Sequence, residues 1–190
     1  MRLQKILTIL ILAMAAGFAG YLLAPMVQAP NQPAHVSLLH GAVASASGLA
    51  VGDTPPNFTL QDINGRSVTL SHLRGHAVWI NFWATWCPWC KSEMPDMEKM
   101  HQQYGNKILI YGIDFQESRK VVDTYLQQHG IHYDVLLDKT GAVATAYDIT
   151  GLPESIFIAP DGRITAVHLG ALLTIGDMKT LINQTLSRRS

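Results

Sequence analysis

Two cysteines, Cys87 and Cys90, stand three residues apart in the run Trp86-Cys87-Pro88-Trp89-Cys90, and the chain has no third. Any disulfide within the chain must be this one. The loop it would close is so short that cross-linking removes little entropy from the unfolded chain, so a bond here suits making and breaking rather than stapling. If Cys87 opens a helix, Cys90 lies one turn on and on the same face, within bridging reach. The first thiol then meets the unpaired N–H groups and positive end of the helix, which favour thiolate and lower its pKa. The second, more shielded, can resolve mixed disulfides formed by the first. The same spacing makes half of many structural zinc sites. The other half is not evident, because no second cysteine pair or His-x-His cluster follows, and the eight histidines are scattered and read as surface or edge residues. Thiol redox chemistry is the reading, with neither metal nor cofactor expected.

The elements that must position these thiols are legible around them. Ala77 to Trp83 is nearly continuous apolar chain, the mark of a buried central strand. A helix follows from about Pro88 to Tyr104 and contains Pro95, where a bend is expected. Phe58 to Leu60 and Ser67 to Leu70 form a short hairpin around Asp62-Ile63-Asn64-Gly65. Ile108 to Asp114 reads as a second buried strand, and Ser118 to His129 has helical spacing through Val121, Val122, Tyr125 and Leu126. Asp134 to Leu137 and Ala142 to Tyr147 read as a strand and a helix. Ser155 to Ala159 and Arg163 to Leu169 flank the turn at Pro160-Asp161-Gly162-Arg163, and Thr174 to Asp177 caps a last helix running to about Leu186. Early strands alternating with helices and a late hairpin predict an α/β protein: a mixed sheet with helices on both faces.

Ahead of this domain, Arg2 and Lys5 precede a stretch from Ile6 to Val27 without a charged residue, long enough to cross a bilayer. Basic residues before it and none soon after predict the N-terminus inside and the domain outside. A cleavable signal peptide ending at Val27-Gln28-Ala29 is the competing reading; the length, and Pro30 at the scissile bond, favour a retained anchor. Residues 28–51, rich in Ala, Gly, Ser and Pro, read as a flexible tether, which leaves residues 52–190 as one domain. Beyond residue 52 the charge is close to balanced, with all 14 acidic residues and all but Arg2 and Lys5 of the basic ones lying there. That argues against nucleic acid as a partner.

The run Asn81-Phe82-Trp83-Ala84-Thr85-Trp86-Cys87-Pro88-Trp89-Cys90-Lys91-Ser92-Glu93-Met94-Pro95 resembles the membrane-anchored, extracytoplasmic thioredoxin-like proteins of the ResA, TlpA and CcmG (DsbE) group. Gly52-Asp53-Thr54-Pro55-Pro56-Asn57-Phe58 with Leu70 to Gly75, and Gly151-Leu152-Pro153 before a strand, match that group's N-terminal hairpin region and cis-proline loop. The resemblance implies a thioredoxin fold with an N-terminal β-hairpin extension and a central helix–strand insertion. It implies Cys87 as nucleophile, Cys90 as resolving thiol, Pro153 as a cis residue facing the disulfide, and Trp86 as part of the rim. Glu93, three residues after Cys90, falls on the same helical face and could exchange protons with the thiols; a solvated glutamate complementing the helix dipole is the alternative. Where thioredoxin itself has a buried aspartate, this chain has Asn81. Pro88-Trp89 departs from the better-known members, and Trp89 is either a recognition surface or a cover for the disulfide. Glu154 hints at the cytochrome-maturation branch.

The function expected on this basis is thiol–disulfide exchange on client proteins, in the reducing direction, outside a bacterial cytoplasmic membrane. The partners implied are disulfide-bearing clients, such as those of cytochrome c maturation, and a membrane transporter of reducing power of the CcdA/DsbD kind. A thiol peroxidase would want a Thr or Ser three residues before its reactive cysteine, where this chain has Ala84. A maturation chaperone using the same dithiol to hold metal or a client is the non-enzymatic alternative.

Overall fold

Every residue of strand β3 (Ala77–Trp83) is buried, as its unbroken apolar sequence requires. This strand is the spine of a computed structural model that describes residues 48–188. The segment read as an anchor, and all but the end of the tether, lie outside the described residues. Among the described residues no helix is long and apolar enough to cross a membrane.

β4 (Ile108–Phe115) pairs with β3 in parallel, and β6 (Glu154–Ile158) pairs with its other side antiparallel. β5 (Asp134–Asp138) extends the parallel part beyond β4, and β7 (Ile164–Leu169) closes the opposite edge against β6. The N-terminal hairpin, β1 (Thr59–Asp62) and β2 (Ser67–Thr69), attaches antiparallel to β5, so the sheet order is β2-β1-β5-β4-β3-β6-β7. Arg66 holds this junction, its guanidinium donating to Asp62 at 2.6 Å and to Asp134 at 2.9 Å.

Four helices are described: α1 (Pro88–Tyr104), α2 (Arg119–His129), α3 (Ala142–Ala146) and α4 (Ile175–Ser187). Alternation along β3 sends Trp79 and Trp83 to one face and Val78, Ile80 and Phe82 to the other. Both faces are covered, but unequally. Met94, Met97 and Met100 of α1, Val122 and Leu126 of α2, and Met178 and Ile182 of α4 pack on the Trp79 face. The other face is covered by Val143 and Ala144 of α3, by Tyr147, and by Phe58 and Leu70 beside the hairpin.

The ends of the helices follow from local sequence. Ser118 Oγ accepts the Val121 N–H at the start of α2, and Gly130 ends it in the left-handed conformation (φ 64°), donating to the Leu126 carbonyl. Thr174 Oγ1 accepts the Asp177 N–H and donates to the Asp177 carboxylate at the start of α4. α1 runs through Pro95 without interruption.

Candidate active site

Leaving β3 at Trp83, the chain makes a turn in which the Cys87 N–H donates to the Ala84 carbonyl at 3.2 Å. Cys87 is the N-cap of α1, with Pro88 at the first helical position, where its missing N–H costs no helical bond. Cys87 Sγ accepts the Cys90 N–H at 3.1 Å, so the sulfur receives one of the donors that a helix N-terminus leaves free. The two cysteines form a disulfide, with Cα atoms 5.3 Å apart. Cys90 is wholly buried, whereas a sliver of Cys87 reaches the surface. Trp86 and Trp89 flank the pair in sequence at 61% and 63% exposure, so most of each side chain faces solvent.

Glu93 lies one turn beyond Cys90 and is 1% exposed, which excludes the solvated-face reading. Its carboxylate accepts Asn81 Nδ2 at 2.7 Å and the Leu172 N–H at 2.8 Å. Asn81 also donates to Ser155 Oγ at 3.1 Å, which takes a second bond from Trp79 Nε1 at 2.9 Å. Burial pushes the Glu93 carboxyl up to about 7, against the pull of the two donors, so it can hold or release a proton near neutrality. Tyr133 is also fully buried, and burial followed by the charge of Glu93 holds its hydroxyl well above the usual tyrosine range.

The Leu152-Pro153 bond is cis. Because Phe82 pairs with Glu154, Pro153 falls at the level of Trp83, where β3 gives way to the cysteine turn. The register therefore brings Pro153 and the cysteine turn, far apart in the chain, to one end of the sheet.

A second polar group at this end was not read from the sequence. Glu117, in the loop after β4, accepts the Thr85 N–H at 2.5 Å and the Thr85 hydroxyl at 2.6 Å. The Glu117 N–H in turn donates to Asp114 Oδ1 at 3.1 Å. Asp114 is fully buried at the end of β4. Burial, reinforced by Glu117, pushes its carboxyl up to about 8. The one available signal was an acid closing an otherwise apolar strand pattern.

A model of the AhpC/TSA family matches residues 51–167, a span that takes in the hairpin, both cysteines, Glu93 and Pro153. The chain belongs to that family. It is 32% identical over 137 residues to the thiol-disulfide oxidoreductase ResA of Bacillus subtilis, covering 72% of this chain and 76% of that protein. With ResA of Oceanobacillus iheyensis it shares 37% over 127 residues, covering 64% and 66%. Among solved structures, a thiol:disulfide interchange protein of the thioredoxin family from Chlorobium tepidum superposes with a TM-score of 0.65 at 29% identity, over 72% of this chain and 97% of that one. StoA of Bacillus subtilis, at 21% identity and a TM-score of 0.59 over 67% of this chain and 96% of that one, shares the fold. The protein is thus a thioredoxin-fold thiol–disulfide oxidoreductase with a Cys87–Cys90 pair. Ala84, buried and without a hydroxyl, stands where the peroxidase alternative needs a polar group.

Proposed function

We propose that this oxidoreductase is held by its N-terminal segment on the outer face of a bacterial cytoplasmic membrane, where it reduces disulfides of client proteins. The observation that carries the chemistry is the presence of Cys87 at a helix N-terminus and of the buried Glu93 one turn beyond Cys90 on the same helix. In the reduced protein the Cys87 thiolate attacks one sulfur of a client disulfide, and the other client sulfur leaves as thiolate. Cys90 then loses its proton to the Glu93 carboxylate and attacks Cys87 Sγ. The second client sulfur departs, two electrons have passed from the dithiol to the client, and Cys87 and Cys90 end as the disulfide. Trp86, Pro88, Trp89 and Pro153 shape the surface on which the client lies.

The uncharged stretch from Ile6 to Val27 behind Arg2 and Lys5 supports the anchor and its orientation. An exported dithiol works as a reductant only if it is kept supplied, which calls for a membrane transporter of reducing power. Clients on the route to c-type cytochromes fit this arrangement. The test is the redox state of Cys87 and Cys90 trapped by acid in cells, together with the equilibrium potential against glutathione. A dithiol in cells and a reducing potential are expected; a disulfide in cells with a strongly oxidising potential makes the protein an oxidase. Replacing Cys90 with Ala and identifying what remains bound to Cys87 names the client.

A further inference from the structure

Thr85 is the second residue of the turn that delivers Cys87, and both of its polar hydrogens go to one carboxylate. The turn closes through the Cys87 N–H to Ala84 carbonyl bond, which leaves the Thr85 N–H without a partner inside the turn. Glu117 supplies one, taking the N–H on Oε2 and the hydroxyl on Oε1. A carboxylate that grips both the main chain and the side chain of one residue fixes that residue's position and its rotation. Trp86 and Cys87 follow directly, so the placement of Cys87 Sγ over the Cys90 N–H depends on where Thr85 is held.

We propose that Glu117 is a positioning residue for thiol–disulfide exchange, clamping the Ala84–Cys87 turn through Thr85, with Asp114 as the buried group that braces it. The proposal rests on the reading of Cys87 as the attacking thiol. Asp114 receives the Glu117 N–H and faces the Glu117 carboxylate from the end of β4, while Asp138 adds a further acid from the end of β5. Lys91 of α1, and Lys120 and Tyr125 of α2, line the same surface pocket as Thr85. With a proton on Asp114, no second carboxylate charge from β4 is pressed against the Glu117 side chain that takes both donors of Thr85. Once Asp114 ionises, at about pH 8, two carboxylates confront each other and the grip on Thr85 loosens.

The test uses the full-length protein in two redox states. In the oxidised protein the cysteines do not titrate, and the amide proton of Thr85 is followed by NMR across the pH range. A step centred at about pH 8 is expected in the wild type, and its loss in Asp114→Asn, which keeps the shape but cannot ionise. In the reduced protein, iodoacetamide labelling of Cys87 at neutral pH is expected to slow about threefold or more in Glu117→Gln and in Thr85→Val, each of which removes one arm of the clamp. Two variants are used so that a folding defect in one does not decide the matter. A Thr85 amide that does not move near pH 8, a step that survives in Asp114→Asn, or unchanged labelling in the folded variants overturns the proposal. A wild-type Cys87 that labels no faster than Cys90 breaks the attacking-thiol reading instead, and the amide titration still judges the clamp.

Discussion

At the residue scale the chemistry depends on how three groups differ in their access to water. Cys87 receives a helix donor and reaches the surface, Cys90 is sealed, and Glu93 is sealed but hydrogen-bonded at both oxygens. In the reduced protein Cys87 is therefore expected to label faster than Cys90 in rate measurements on Cys90→Ala and Cys87→Ala; equal rates, or a faster Cys90, defeat the assignment of roles. Glu93 makes two pH predictions. Above about pH 7 its carboxylate is free to accept the Cys90 proton, so exchange should accelerate through neutrality. Glu93→Gln should remove that rise and slow exchange at pH 8 roughly tenfold or more, as followed by insulin reduction. Its effect on stability has the opposite slope. The folded protein retains the Glu93 proton between about pH 4.5 and 7 while the unfolded chain has released it, so stability falls as pH rises through that window. The difference in titration corresponds to a penalty on the order of 3 kcal/mol. Urea unfolding of the oxidised protein at pH 5 and pH 8 should show a decline that Glu93→Gln reduces by about that much.

At the element scale the site depends on how closely β3 and β4 are packed beneath α1. Gly112 of β4 lies under Trp83 and Tyr133; a Cβ there would stand 2.9 Å from Trp83 Nε1 and 3.2 Å from Tyr133 Cε2. Both rings are buried and neither has space to retreat. Gly112→Ala should cost about 1–3 kcal/mol of stability in urea titration, and no measurable cost would mean that the layer has slack. Two residues beyond Leu172, the Thr174–Asp177 cap is a local device readable from its spacing. Thr174→Ala is expected to cost about 1 kcal/mol without altering the exchange rate, since the cap touches neither cysteine nor Glu93.

At the scale of the whole molecule, the sheet collects one end of β3, β4 and β6 into a single site, and in the proposed function the N-terminal segment sets where that site works. The exchange chemistry lies in the described domain, whereas the supply of electrons in the proposed function depends on the segment before it. Removal of residues 1–27 is thus expected to leave insulin reduction with dithiothreitol unchanged. In cells, the same truncation should shift Cys87 and Cys90 from dithiol to disulfide, read by alkylation after acid trapping. Loss of the in vitro rate as well would assign that segment a part in the fold.

The local content of the sequence determined most of the elements and the reactive pair. An apolar run gives a buried strand, Cys-Pro-Trp-Cys begins a helix, and Gly130 and Thr174 mark helix ends, because each depends on residues within a turn or two. The pattern also showed that Glu93 shares a helical face with Cys90, yet it left open whether that face met solvent. Only the tertiary structure decided this, because the groups that enclose Glu93 come from β3 and from Leu172, 79 residues further on. The same holds for Thr85 and Glu117, 32 residues apart, and for Asp114, whose place in a buried strand was legible but whose neighbour Glu117 beyond the strand was not. Hydrogen-bonded secondary structure is built from neighbours in the chain. The desolvation and facing charges that tune a carboxyl are built from atoms that only the closed fold brings together.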